Sequence, residues 1–191
     1  MSSRPEQVAS DGQAMLDLAR LAITEAVVHK SVPNHLPNEG VFSQHRGVFV
    51  TLCVKEKLRG CIGVVEGHGP LGENIVQSAV SAAMHDPRFA PVRADELSDL
   101  QIEISLLSPL VPMSAEEIRI GTHGLLIVCG QRRGLLLPQV ATEHGLSREQ
   151  FLDETCRKAG LPFGAWKDAA AAIFGFTCEI HSELHGFKGG G

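Results

Sequence analysis

The sequence contains no tyrosine and a single tryptophan, and aromatic residues make up only 5% of the chain. Surfaces that stack nucleic-acid bases need several aromatic side chains, and phosphate-binding surfaces are usually basic. The formal net charge is −5, so the composition disfavours a nucleic-acid partner on both grounds. Apolar residues make up 43% of the chain, which is enough for a substantial hydrophobic core.

The sequence also lacks any Cys-x-x-Cys pair, and its number of cysteines is odd. This pattern argues against a disulfide framework and against a zinc site built from thiolates. Reduced thiols in a cytoplasmic protein fit better. No cofactor is predicted. The cysteines are Cys53, Cys61, Cys129, Cys156 and Cys178.

Uncharged runs long enough to span a bilayer are absent as well. The apolar positions near the N-terminus are interrupted by Asp17, Arg20 and Glu25, so a signal peptide is not predicted. We therefore expect a cytoplasmic protein with no membrane partner.

The first half of the chain predicts an amphipathic helix, a hairpin with a charged tip, a second helix and a strand. Ser10 and Gln13 form a plausible capping box for the first helix. Pro70 suits the start of the second helix, and Pro87 follows the end of that helix. The predicted segments are helix 11–29, strands 47–54 and 58–65, the helix after Pro70, and strand 100–109.

The second half repeats the order of hairpin, helix and strand. Ser147 and Gln150 form another capping box, and Gly160 suits the end of that helix. The predicted strands are 123–130, 134–140 and late strand material over 171–187. The recurrence predicts a duplication, with repeats at about 41–110 and 121–187. Because no linker separates the halves, we expect two lobes that share one core.

One stretch, KLRGCIGVV (57–65), departs from an ordinary strand pattern. Strict alternation places Arg59 and Cys61 on the same face, with their Cα atoms roughly 6.6 Å apart. A guanidinium at that distance is expected to lower the pKa of the thiol. Gly60 and Gly63 leave room beside it for a ligand or for another backbone. The alternative is structural, because a free cysteine is often a small buried apolar residue.

The hexamer LRGCIG within this stretch resembles the signature of the AMMECR family. Further segments resemble the same family in the same order, and together they cover about residues 11–185. They are HDPRFAPV (85–92), IEISLLSP (102–109), GTHGLLI (121–127), GLLLPQVA (134–141) and CRKAGLP (156–162).

The resemblance implies an α+β fold of duplicated β-α-β-type repeats, with mixed or antiparallel sheets flanked by helices and with exchanged terminal strands. It implies one AMMECR-type domain over residues 1–191. Bacterial and archaeal members resemble the "A" component of a system that also contains a Memo-like protein and a radical-SAM protein. These two proteins are therefore possible partners, whereas the resemblance implies no assigned activity.

Carried over residue by residue, the resemblance marks several candidate site positions. They are Arg59, Gly60, Cys61, Gly63, Asp86, Arg88, Phe89, Glu103, His123, Pro138 and Gln139.

Four of these residues are candidates for a catalytic role. Cys61 could act as a thiolate nucleophile or as a ligand, and Arg59 could hold an anionic group. Glu103 could orient Arg59 or act as a general base, or it could be a salt-bridged strand carboxylate. His123 could pair with Cys61, or it could cap the backbone of its own turn.

The remaining candidates concern ligand and metal binding. Gly60, Gly63 and Gln139 could contact a ligand, although Gln139 could equally form a loop hydrogen bond. His181, Glu183 and His185 have a spacing that could bind a divalent metal ion, but they match no motif of the family and a solvated strand edge is the favoured interpretation.

Three functional hypotheses follow. The first is an accessory component of a Memo-like and radical-SAM modification or small-molecule pathway, with a functional cleft at Cys61. The second is a non-catalytic protein-binding module. The third, a regulatory factor related to nucleic acid, is disfavoured by the composition.

Overall fold

The computed structural model describes residues 5–183, and it divides into two compact units. The first unit comprises the chain up to Leu107 together with the segment that begins at Glu179, and the second comprises Ser108–Cys178. Each unit has its own cluster of buried apolar side chains. Within these residues there are two four-stranded sheets, whose strands lie in the order 57–64, 48–54, 100–107, 178–182 in the first and 111–112, 171–176, 124–129, 132–136 in the second.

The first unit packs two helices against one face of its sheet. In β1, Val48, Val50 and Leu52 are fully buried, and they form one cluster with the apolar stripes of the two helices. The opposite face of β1 is also largely covered, since Thr51 and Cys53 are buried. The elements are α1 (Pro5–Thr24), which continues as a π-helical turn (Glu25–His29), β1 (Val48–Val54), β2 (Lys57–Val64), α2 (Leu71–Met84) and β3 (Leu100–Leu107).

The second unit is built around Phe151 and Leu152, which are fully buried against Leu125 and Ile127. Its elements are β4 (Val111–Pro112), β5 (Gly124–Cys129), β6 (Arg132–Leu136), α3 (Pro138–Glu143), α4 (Arg148–Lys158) and β7 (Ala171–Phe176). The chain then returns to the first sheet as β8 (Cys178–Ser182), next to β3.

The α+β fold class is confirmed, since helices accompany two antiparallel sheets. The order of hairpin, helix and strand occurs in both units, whereas an origin by duplication and a single domain over 1–191 stay predictions. The capping box of Ser147 and Gln150 at α4 is also confirmed. Within residues 5–183, no helix is long and apolar enough to cross a membrane.

Three predicted elements differ from the structure. The first helix begins at Pro5, so Ser10 lies inside it and caps nothing. The strand predicted over 134–140 is wrong beyond Leu136, because Pro138 begins a short helix. Proline lacks an N–H and is favoured in a first helical turn, which explains the change. The late strand segment is two strands, and its part after residue 183 lies outside the described residues.

Candidate functional site

Cys61 lies in a row of polar side chains that crosses three adjacent strands. The strand registers place Cys61 of β2 opposite Thr51 of β1, and Thr51 opposite Glu103 of β3. The Thr51 hydroxyl donates a hydrogen bond to the Cys61 Sγ at 3.3 Å. Glu103 is buried and Cys61 is partly exposed. A thiol, a hydroxyl and a carboxylate therefore follow one another from a solvent-accessible position into the interior.

The loop after α2 contacts the same part of β2 through Asp86. The carboxylate of this buried residue accepts the backbone N–H of Cys61 at 2.9 Å. It also accepts the Arg88 N–H at 3.0 Å and the Arg88 Nη2 at 2.8 Å. Together these bonds hold the pKa of Asp86 well below its usual range, with the side-chain bond from Arg88 as the largest cause. Asp86 is therefore ionised at neutral pH and fixes the loop to the strand.

Arg88 is the cation that lies beside Cys61. Its Nη2 donates to the Cys61 carbonyl oxygen at 3.3 Å, and its guanidinium lies 5.4 Å from the centre of the Phe89 ring. The side chain of Arg88 is 51% exposed. The site thus carries a positive group that is both anchored by Asp86 and open to solvent.

The thiols at this site are held in the protonated form. Burial raises the pKa of Cys61; the Thr51 hydrogen bond and Arg88 oppose this effect, and the charges of Asp86 and Glu103 add to it. Burial together with Glu103 and Cys61 also raises the pKa of Cys53 to about 11. The prediction that a neighbouring arginine produces a lowered pKa at Cys61 is therefore wrong.

Arg59 is directed to a different set of partners. The register of β1 and β2 shifts between Leu52 and Cys53, so Arg59 has no opposite residue and the strict alternation assumed above does not hold. Its Nε donates to Glu96 at 2.8 Å, and its Nη1 donates to the Ala90 carbonyl oxygen at 2.8 Å. Arg59 therefore braces the loop between α2 and β3, while its anion-binding role stays a prediction.

The two glycines of the hexamer admit protein atoms at close range. A Cβ atom on Gly60 would overlap the backbone carbonyl of Ala82 in α2. A Cβ atom on Gly63 would overlap the backbone and side chain of neighbouring β1, at Val48 and Phe49. Of the two alternatives predicted for these glycines, the close approach of another backbone is the one observed.

The other two predicted site residues belong to the second unit. His123 Nδ1 accepts the backbone N–H of Arg119 at 3.1 Å, so the expected turn-capping contact is present. Gln139 is the second residue of α3 rather than the end of a strand. Its Oε1 is buried and has no hydrogen-bond partner in the described part of the chain. The catalytic role of His123 and the ligand-binding role of Gln139 stay predictions.

The possible metal ligands near the C-terminus are only partly described. His185 lies outside the described residues. Glu183 is paired with Arg20, whose Nε donates to it at 2.9 Å, and His181 packs against Gly12 of α1. Within residues 5–183 there is no group of three or more His, Cys, Asp or Glu side chains suited to a metal ion.

The sequence prediction missed Thr51 and the proximity of Arg88 to Cys61. Thr51 is a polar residue inside an apolar strand, which is the signal that could have marked it. Asp86 and Arg88 were candidate positions by resemblance, and their connection to Cys61 depends on how the loop after α2 packs on β2.

Comparison with known proteins gives consistent matches over most of the chain. The family model AMMECR1 matches residues 16–181. A Methanothermobacter thermautotrophicus protein is 44% identical over 183 residues, which covers 91% of this chain and 94% of that protein. An Aquifex aeolicus protein is 41% identical, with 93% and 95% covered.

Among solved structures, the chain resembles the uncharacterised protein PH0010 from Pyrococcus horikoshii. The TM-score is 0.83 and the sequence identity is 37%, over 88% of this chain and 89% of that one. Together, the family match and these relatives show that the chain belongs to the AMMECR1 family.

Proposed function

We propose that this AMMECR1-family protein acts through a functional thiol at Cys61. Its role would be that of an accessory component in a modification or small-molecule pathway that includes a Memo-like and a radical-SAM protein. The observation that carries the proposal is the row of Cys61, Thr51 and Glu103 across β2, β1 and β3.

The row supports a covalent step at sulfur. The protonated thiol is unreactive at rest, because the thiolate is the nucleophile. When a ligand binds, the Cys61 thiol releases its proton to solvent, and the resulting thiolate forms an S–C bond to an electrophilic carbon. The leaving group departs with the electron pair of the bond that breaks. The Thr51 hydroxyl, already 3.3 Å from Sγ, holds the sulfur in position for this step.

Arg88 is the residue that we expect to bind an anionic substituent of the ligand. Its bonds to Asp86 and to the Cys61 carbonyl use the Nε and Nη2 nitrogens. A ligand carboxylate or phosphate would be bound through Nη1. The Arg88 guanidinium is half-exposed. Sequence alternation predicted that Arg59 would be the cation beside Cys61, and Arg88 is the cation found there.

Two alkylating agents of similar size test this site. Iodoacetate is an anion and iodoacetamide is neutral, so binding by Arg88 predicts a higher iodoacetate-to-iodoacetamide rate ratio at Cys61 than at Cys129, which is also partly exposed. The rates are measured at each cysteine by peptide mass spectrometry. Arg88→Gln removes the preference if the proposal is correct. An unmodified Cys61, or equal rate ratios at the two cysteines, contradicts it.

The close approach of the α2 and β1 backbones to Gly60 and Gly63 favours a second candidate, a non-catalytic protein-binding module in which the hexamer has a packing role. Co-expression with the Memo-like and radical-SAM proteins of the same genome separates the two candidates. Capture of either protein by wild type and by Cys61→Ser alike supports a docking function, provided that the alkylation preference is absent. Failure to capture either protein removes the pathway assignment, whereas the alkylation result stands independently.

A further inference from the structure

An open groove of about 590 Å³ runs beside α2 in the first unit. One side is formed by Val76, which is 5% exposed, and by Val80, which packs on the hydrophobic core. The other side is formed by Val32, Pro33 and Leu36 of the segment between α1 and β1. Val32 is 52% exposed. The groove therefore presents apolar side chains to solvent, a feature that is typical of interaction sites.

The polar side chains of the groove follow one line along α2. They are Glu73, Gln77, Ser81 and His85, and residues four apart lie on the same face of a helix. Positions 73 and 85 are twelve residues apart, which corresponds to about 18 Å at the rise of an α-helix. The groove is therefore long enough for about three helical turns of a partner.

The segment that forms the second side of the groove is anchored where it begins. The π-helical turn before it ends at Lys30, whose φ angle is 55°. Lys30 Nζ donates to the Val27 carbonyl oxygen at 2.9 Å, and Ser31 Oγ donates to Glu25 Oε2 at 2.8 Å. Turns of this kind are frequent at functional sites. A side that is fixed before binding loses little conformational entropy when a partner docks.

The groove suits a helix better than an extended strand or a small molecule. The backbone N–H and C=O groups of α2 are hydrogen-bonded within that helix, so α2 offers no ladder to a strand. A helical partner satisfies its own backbone groups. Gln77 and His85 are exposed, so the groove is open along its length, whereas small-molecule sites enclose most of their ligand. An amphipathic helix binds such a groove through apolar residues at positions i, i+3 or i+4, and i+7.

A carboxylate marks one end of the groove. Glu73 is exposed and belongs to none of the ion pairs found between residues 5 and 183. No lysine or arginine is among the described residues that line the groove. Lys30, which precedes the lining segment, directs its Nζ to the Val27 carbonyl oxygen. Because complementary charges orient association, a partner should carry a cation at the end that meets Glu73.

We propose that the groove binds an amphipathic helix of another protein. Apolar side chains of that helix pack against Val32, Val76 and Val80, and a lysine or arginine of the helix faces Glu73. Three turns bury less surface than a standard complex of about 1,600 Å², so we expect a dissociation constant on the order of tens of micromolar. Cys61 does not line the groove, so the proposal is independent of the thiol site.

A synthetic helical peptide of about 14 residues is the probe. It carries leucines at positions i, i+3, i+4 and i+7 and lysines at both ends, and in a second peptide glutamates replace the lysines. Fluorescence anisotropy with the full chain should show binding of the basic peptide, and the acidic peptide should bind about threefold more weakly, or less. Amide chemical shifts of the full chain should change in α2 and in residues 31–36. No binding of the basic peptide, or shift changes confined to other surfaces, overturns the proposal.

Two pairs of matched variants test the residues involved. Val32→Ser should weaken binding of the basic peptide about threefold or more, whereas Val111→Ser, at a 54% exposed position of the second unit, should leave it unchanged. Glu73→Gln should weaken binding about two- to fivefold, whereas Glu149→Gln should not. Both glutamates lie in the first turn of their helices, so the two variants lose the same charge at equivalent helical positions.

The alternative occupants have results of their own. Equal losses of affinity in Glu73→Gln and Glu149→Gln would show a general attraction to an acidic protein and would overturn the charge pairing. Sedimentation equilibrium of the full chain tests self-association. A dimer that Val32→Ser dissociates would assign the groove to a second copy of the chain and would overturn the proposal of a different partner.

Discussion

The Asp86 carboxylate holds the backbone of Cys61, because its Oδ2 accepts the Cys61 N–H at 2.9 Å. The same carboxylate binds Arg88 through both of its oxygens. One buried side chain therefore sets the position of the thiol strand and of the cation beside it. The geometry of the candidate site consequently depends on a residue that need not contact a ligand.

Asp86→Asn is expected to destabilise the fold. The substitution keeps the shape of the side chain but removes the charge, and a hydrogen bond to a charged group contributes about 1.5–3 kcal/mol. Because Arg88 is half-exposed and can be resolvated, we expect a loss of about 1–3 kcal/mol in the free energy of unfolding. Urea unfolding measures it. The control is Asp95→Asn, which breaks an exposed pair with Arg93 and should not change the midpoint.

The stabilising effect of Asp86 should depend on pH in one direction. Its pKa is lowered in the folded protein from an ordinary value of 3.8, so the unfolded chain binds the proton more readily. The contribution of ionised Asp86 to the free energy of unfolding is complete above pH 4. It is lost as the pH falls below 4 and through the pKa of Asp86 in the folded protein. The difference in unfolding free energy between wild type and Asp86→Asn should therefore be smaller at pH 3 than at pH 7. A difference that grows on acidification contradicts this assignment.

Glu103→Gln should make Cys61 more reactive. The Glu103 charge contributes to the raised pKa values of both Cys61 and Cys53, so its removal increases the thiolate fraction, about tenfold for each unit by which the pKa falls. The iodoacetamide rate at Cys61, followed at pH 8 by mass spectrometry, should rise. Thr51→Val should lower that rate, because it removes a hydrogen bond that favours the thiolate. If the iodoacetamide rate at Cys61 rose in both variants, or fell in both, the opposite effects assigned to Glu103 and Thr51 would be wrong.

Gly60→Ala should destabilise the first unit. The added methyl group would overlap the Ala82 carbonyl oxygen in the backbone of α2, and overpacking of this kind costs about 1–3 kcal/mol. Urea unfolding provides the measurement. Gly69→Ala is the matched control, because its added methyl would lie 3.1 Å from a flexible Glu73 side chain. Equal stability of the two variants would show that α2 can move away from β2.

His181 should make stability depend on pH around neutrality. Burial lowers its pKa from 6.5, while the charges of Asp11, Glu179 and Arg46 lie near it. Because the pKa is lowered in the folded protein, neutral His181 contributes to the free energy of unfolding above pH 6.5, and this contribution is lost as the pH falls below that value. His181→Gln should therefore flatten the change in unfolding free energy between pH 8 and pH 5. An unchanged slope in His181→Gln would contradict this assignment.

Local sequence signals predicted most elements of this fold. The charged hairpin tip at Lys55 and Glu56 is present, and both residues have positive φ angles. The capping box at Ser147 likewise depends on neighbours in sequence alone. The strand predicted over 134–140, which includes Pro138, could not be distinguished from a helix by local signals, because an apolar run of that length suits either structure.

The candidate site was less predictable, because its contacts depend on register and packing. Alternation paired Arg59 with Cys61, but the register shift in the hairpin breaks that alternation at Arg59. The row that contains Thr51 and Glu103 requires knowledge of which strands are neighbours. The position of Arg88 requires the path of a loop that is 27 residues away from Cys61 in sequence.

The return of β8 to the first sheet has a consequence for synthesis. Because β8 follows the whole second unit and lies next to β3, the first sheet emerges from the ribosome with a bare edge. An exposed strand edge is a template for association with other chains. Truncation before Cys178 should therefore yield an aggregating product, even though it retains every residue of the hexamer, and the nascent chain is vulnerable until β8 has been made.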